Sequence, residues 1–183
     1  MIDQNKIIFL DLDGVLNAFD YSYMLSEMRN MEAESKGESY KGELQNKTKD
    51  MFGSLFDPRC CSWLKYIIEN TGARIVISST WRREGLEEMK KLWDYRKLPG
   101  EVVGITPFCY NVKTAYTGTK FERYRGVEIE QYVKQHAVKS YCIIDDEPKI
   151  IPYQKFYLCQ TPSEFGITMD VAERAIDILN QND

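Results

Sequence analysis

FLDLDGVLN, residues 9–17, is the stretch on which the reading of this 183-residue chain turns. It closes an apolar run, rich in Ile and Phe, that begins at Lys6 and stops at Asp-Gly, the pattern of a buried strand ending in a turn. Asp11 and Asp13 straddle one residue. At a strand exit both carboxylates can therefore face one side while Gly14 lets the chain turn sharply away. Two carboxylates so placed can divide a phosphoryl transfer between them. One attacks phosphorus, and the other protonates the leaving oxygen and then activates water.

Further runs of the same short, β-branched kind predict strands at Ala73–Ser78 and Ser140–Ile144, with weaker candidates at Glu101–Ile105 and Lys155–Cys159. Between them lie helical patterns. Asp57-Pro58 reads as an N-cap and first helical position, with Gly72 as the stop; Arg83–Arg96, Val127–His136 and a segment after Thr168 each carry an apolar face. Strands alternating with helices predict an α/β fold of three layers, a Rossmann-like parallel sheet covered on both faces. The length suits a single domain, 1–183, with an insertion at 18–56 after the first strand. That insertion is charged but nearly balanced in sign, and is expected to be helical from about Asp20, then a loop that could cover the site as a flap or minimal cap.

Composition narrows the chemistry. A 43% hydrophobic, 28% charged chain with no apolar run near the ~20 residues of a membrane helix excludes a membrane span of that kind. A net charge of -4 disfavours a polycation that coats nucleic acid. The single histidine, His136, excludes multi-histidine zinc sites and is expected to be structural. Five cysteines without C-x-x-C spacing, and an N-terminal segment without a basic stretch followed by an apolar core, lead to an expectation of reduced thiols in the cytoplasm. No obligate protein partner is evident from the sequence.

Polar clusters follow each of the three main strands: Asp11 and Asp13; then Ser78, Ser79, Thr80, Trp81 and Arg82; then Asp145, Asp146 and Glu147. In a parallel α/β sheet, ligands bind beyond the carboxyl ends of the strands where strand order reverses. Converging carboxylates call for a cation, and an all-oxygen donor set selects Mg2+ over zinc.

FLDLDGVLN resembles the first motif of the haloacid dehalogenase (HAD) superfamily of phosphohydrolases. IVISS (75–79), continuing as STWR, resembles the second motif, and IIDDE (143–147) the fourth; GITP (104–107) completes a combination similar to small HAD domains of nucleic-acid repair proteins and of bacterial or phage phosphatases. The resemblance implies an Mg2+-dependent phosphatase acting on a phosphomonoester through an aspartyl phosphate, with a nucleotide or nucleic-acid end among the candidate substrates. It implies Asp11 as nucleophile, Asp13 as acid and base, and Ser78 as the phosphate-binding hydroxyl. Mg2+ would be held by Asp11, the backbone carbonyl of Asp13, and Asp145, with Asp146 beside it. The third-motif cation falls to Arg125 or Lys120. Ser79, Thr80 and Arg82 are substrate-binding candidates, with Arg82 either touching substrate or pairing with Asp146. Trp81 is either core or a substrate platform. The aromatic and basic residues of 107–125 are read either as a surface loop or as a base-stacking surface. A phosphatase of small metabolites or phosphoproteins, and a non-catalytic binding module, are the alternatives.

Overall fold

The computed structural model describes residues 6–36, 48–109, 124–147 and 149–181. Five parallel strands form one sheet in the order β5-β4-β1-β6-β7. These are β1 (Lys6–Leu10), β4 (Arg74–Ile77), β5 (Val102–Ile105), β6 (Ser140–Asp145) and β7 (Leu158–Gln160). The chain leaves β1 in one direction for β4 and β5, and returns to its other side for β6 and β7. Strand order thus reverses at β1, and the register pairs Leu10 with both Ile77 and Ile144. The residues after these three positions, Asp11, Ser78 and Asp145, reach the same rim.

Alternation along the strands divides the core. Ile8, Leu10, Ile75, Ile77, Cys142 and Ile144 meet α2 (Pro58–Thr71), α3 (Leu86–Tyr95) and α5 (Met169–Asn180). Ile7, Phe9, Val76, Tyr141 and Ile143 meet Ile129 and Tyr132 of α4 (Arg125–His136). Both faces of the sheet are covered, which is why its strands read as continuous apolar runs. The predicted α2 boundaries hold at both ends: the Asp57 side chain accepts from Arg59 N at 2.8 Å, and Gly72 ends the helix in the left-handed region at φ 68°.

Two expectations change. Lys155–Tyr157 belongs to a 3-10 turn, Pro152–Tyr157, and the strand starts only at Leu158. Helix α1 (Phe19–Ser35) runs through much of the charged stretch expected to be loop. It buries only Arg29 and Ala33, so its Glu, Met and Ala residues carry it by propensity and local pairs such as Lys36–Glu32 at 2.7 Å. The rest of the 18–56 segment that is described returns through a short hairpin, β2 (Lys49–Asp50) and β3 (Gly53–Ser54). Among the described residues no helix is long and apolar enough to cross a membrane. His136 ends α4 and stacks on Tyr132 at 4.1 Å.

Candidate active site

Asp11 follows β1 and is buried. Its Oδ1 accepts from Leu12 N at 2.7 Å, its Oδ2 accepts from Arg125 Nη2 at 3.0 Å, and the Ser79 hydroxyl donates to the same carboxylate. Arg125, the first residue of α4, places its other nitrogen, Nη1, 3.2 Å from Asp145 Oδ2. One guanidinium thus spans the ends of β1 and β6. Of the two cations open in the sequence, Arg125 is the one in contact with the acidic cluster, and Lys120 lies outside the described residues. So do residues 110–123, which hold most of the aromatic and basic stretch.

Carboxylate oxygens of Asp11, Asp145 and Asp146 lie within 4.8 Å of one another. Burial pushes the Asp145 carboxyl up to about 7; Asp11 and Asp146 add repulsion, while Arg125 and the amide of Glu147 oppose it. Asp11 is also raised, by burial first, against the pull of Arg125. One arginine does not neutralise three carboxylates. Asp145 Oδ2 is buried without a hydrogen-bond donor, whereas its Oδ1 accepts from Glu147 N at 2.9 Å. A buried carboxylate oxygen that makes no hydrogen bond, beside only the arginine charge it shares with Asp11 and close to two more carboxylates, fits a hard divalent cation. Asp146 is held in place by Ser163, whose Oγ donates to its Oδ2 at 2.9 Å.

Asp13 stands apart from that cluster. Its carboxylate accepts from Trp81 Nε1 at 2.9 Å and from Asn17 Nδ2 at 3.1 Å, so its side chain is committed elsewhere than to the three metal-ligand candidates. The turn that carries it, 12–17, is fastened to the loop after β7: Thr161 Oγ1 donates to Gly14 O at 2.8 Å and Ile167 N to Val15 O at 3.1 Å. Gly14 itself sits at φ +68°, and a Cβ there would fall 2.4 Å from Asp146 Oδ2. Gly14→Ala is therefore expected to lose at least about 1 kcal/mol by urea unfolding, from the backbone conformation alone. It should also displace Asp146, and so weaken divalent-cation stabilisation measured by thermal shift. Unchanged cation stabilisation would mean Asp146 is not part of the site.

The second polar cluster divides its labour in a way the sequence did not reveal. Ser78 Oγ accepts from Thr106 Oγ1 at 3.4 Å, and it is Ser79 that touches Asp11. Arg82 is fully buried and pairs with Glu128 of α4 at 2.5 Å rather than with Asp146. It also donates to Thr106 O at 2.9 Å and to Ser79 O, with its guanidinium 4.2 Å over the Phe108 ring. Arg82 thus ties the second strand end to the helix that carries Arg125. Trp81 packs, partly buried, against the core, and its indole N–H donates to Asp13. Asn17 and Thr106 lie within the FLDLDGVLN and GITP stretches but were not singled out there, and Glu128 had no sequence signal beyond position. Glu128 lies one turn after Arg125 on α4.

A cleft of about 140 Å³ abuts the cluster, lined by Thr80, Arg82, Arg125, Glu128, Asp145, Glu147 and Lys149. Among the described residues it is small beside the roughly 300–1,000 Å³ of sites that enclose a whole small-molecule ligand.

Residues 7–172 match the family model described as the HAD domain in Swiss Army Knife RNA repair proteins. A haloacid dehalogenase-like family hydrolase from Streptococcus pneumoniae, a solved structure, is 16% identical to the chain, with 95% of this chain and 92% of that one covered at a TM-score of 0.42. No curated protein matches. With the match to the family model running from the first strand into the last helix, and so across all three acidic or hydroxyl strand ends, the chain belongs to the family of HAD domains described from Swiss Army Knife RNA repair proteins.

Proposed function

We propose that the protein is a Mg2+-dependent phosphatase that hydrolyses a phosphomonoester through an aspartyl phosphate on Asp11. The observation that carries this reading is the Arg125 guanidinium set between Asp11 and Asp145 at the point where strand order reverses. It favours the charged form of Asp11 against the effect of burial, and leaves the carboxylate oriented by hydrogen-bond donors beside a cation site, as an anionic nucleophile for an anionic substrate requires. Mg2+, held by Asp11, Asp145 and Asp146 with the carbonyl of Asp13 as a further candidate ligand, would neutralise phosphate charge. Arg125 holds the transferring group, the Ser79 hydroxyl orients Asp11, Thr80 and Lys149 border the cleft, and Asp13 handles the proton.

The small volume of the cleft among the described residues favours a substrate whose bulk stays outside. Together with the RNA repair proteins from which the family is described, this supports a phosphorylated nucleic-acid end as substrate, in the cytoplasm, ahead of a nucleotide, metabolite or phosphoprotein. Both carboxylates of the first strand end are present, which disfavours a purely binding role. The test is Mg2+-dependent hydrolysis of an aryl phosphate, then of phosphorylated oligonucleotides against mononucleotides and sugar phosphates at rising salt. Oligonucleotide turnover should fall steeply with ionic strength. An absence of turnover on every class would sink the proposal.

Cation binding should depend on pH with a definite sign. Because Asp145 is raised from an ordinary 3.8 to about 7, the metal-free fold holds a proton that the unfolded chain releases, and ionising Asp145 costs stability as pH rises through that window. Mg2+ must displace that proton, so its apparent affinity should drop about tenfold per pH unit below 7. The rise in Tm on adding Mg2+ is expected to grow from pH 5.5 to about 7 and then level off. A rise that is flat across this range would mean Asp145 is ionised without the metal.

A further inference from the structure

Asp13 is gripped on both oxygens by neutral donors from different parts of the chain. Trp81 Nε1 donates to Oδ2 at 2.9 Å from the second strand end; Asn17 Nδ2 donates to Oδ1 at 3.1 Å from the first. Ser22 Oγ donates to Asn17 Oδ1 at 2.9 Å, which turns the amide so that its NH2 faces Asp13.

The indole is itself held from behind by the insertion. Its ring lies 5.6 Å from that of Phe56, and a Cβ at Gly53 would come within 3.3 Å of it. Arg96, at the end of α3, lays its guanidinium 4.3 Å over Phe56 and 5.8 Å from the Trp81 ring. The same guanidinium grips Asp50 with two bonds of 2.8 and 2.7 Å and reaches Gly53 O at 3.3 Å. The hairpin of residues 49–54 and the following Phe56 therefore form a bracket behind Trp81.

We propose that Trp81, seconded by Asn17, is a positioning residue for the acid–base step, and that the insertion's described hairpin serves to hold it. This rests on the phosphatase reading. In the first half-reaction an Asp11 oxygen bonds to phosphorus, the bond from phosphorus to the ester oxygen breaks, and that oxygen takes the proton of the Asp13 carboxylic acid. In the second, Asp13 takes a proton from water, the water oxygen bonds to phosphorus, and the bond to Asp11 breaks, releasing phosphate and restoring the Asp11 carboxylate and the Asp13 carboxylic acid. Trp81 and Asn17 fix the Asp13 plane without taking the proton, and leave its outward lone pairs for the ester oxygen and water.

The experiment compares kcat/KM, which reports steps through leaving-group departure, for p-nitrophenyl phosphate and for an alkyl phosphate with a poor leaving group. A misplaced acid harms only the substrate that needs protonation. Trp81→Phe is expected to lose tenfold or more on the alkyl phosphate and less than threefold on the nitrophenyl ester, with Asp13→Asn showing the same selectivity at larger size. Asn17→Ala, expected to follow the same pattern, serves if Trp81→Phe fails to fold. Equal losses on both substrates, or none, would overturn the positioning role; if the wild type is active and Asp11→Asn is dead, the phosphatase reading still stands. A wild type inactive on both substrates overturns that reading and the positioning role with it.

Discussion

Asp11→Asn is expected to lower kcat on the order of 10⁵-fold, the scale seen when a covalent nucleophile is removed, while leaving the metal-free protein at least as thermally stable as the wild type. The two halves of this result come from different features of one side chain. An amide of the same shape keeps one acceptor oxygen, enough for Leu12 N or for Arg125 but not for both, and it does not attack phosphorus. Meanwhile burial and the neighbouring Asp146 hold the Asp11 carboxyl above its ordinary range, so its charge is a cost the fold bears without a metal. Removing that charge leaves Arg125 paired with Asp145. The Mg2+-induced rise in Tm should shrink, because one of three clustered carboxylates is gone. Steady-state assays with and without Mg2+, and melting curves of both proteins, measure all three. An Asp11→Asn protein with undiminished turnover would remove Asp11 from the chemistry. One that melts far below the wild type would show its charge to be structural.

What the sequence made legible, and what it did not, follows from the range of the interactions concerned. Apolar runs, the Asp57 cap and the stop at Gly72 are local, and they located the strands and helices to within a few residues. The alternation of elements predicted the parallel sheet but not its strand order; that order reverses at β1 and brings Asp11, Asp145 and Asp146 together, as the resemblance implied. Side-chain partners were another matter. Ser78 and Ser79 are adjacent and chemically identical; which one meets Asp11 depends on how the backbone turns after β4, a feature with no residue signature. The partners of Arg82 and Trp81 lie 46 and 68 residues away in the chain, where spacing has no say. The helix α1 was missed in length because it has almost no buried face, so the periodicity that marks other helices is lacking.

Breaking the ion pair between Arg82 and Glu128 should cost about 3–5 kcal/mol of stability from either side, the range for stranding one partner of a buried pair. Both side chains are almost wholly removed from water, at 1% and 3% exposure. Single-domain stability is of order 5–15 kcal/mol, so either Arg82→Met or Glu128→Leu should bring the protein close to unfolding at 37 °C. The double variant decides what the pair is for. Replacing both charges with apolar groups of similar volume removes the stranded charge, so its urea unfolding free energy should lie well above the sum of the two single losses. It should not return to the wild-type value. Arg82 also donates to Thr106 O and Ser79 O, and methionine leaves both carbonyls without that donor. Activity is expected to stay low even in the stabilised double variant. Arg82 bridges the carbonyl of Ser79, whose hydroxyl holds Asp11, to a helix whose first residue is Arg125, so losing it loosens both groups that orient the nucleophile. Strict additivity of the single losses would show the two charges to be energetically independent. Full activity in the double variant would show that the buried pair stabilises the fold without shaping the site.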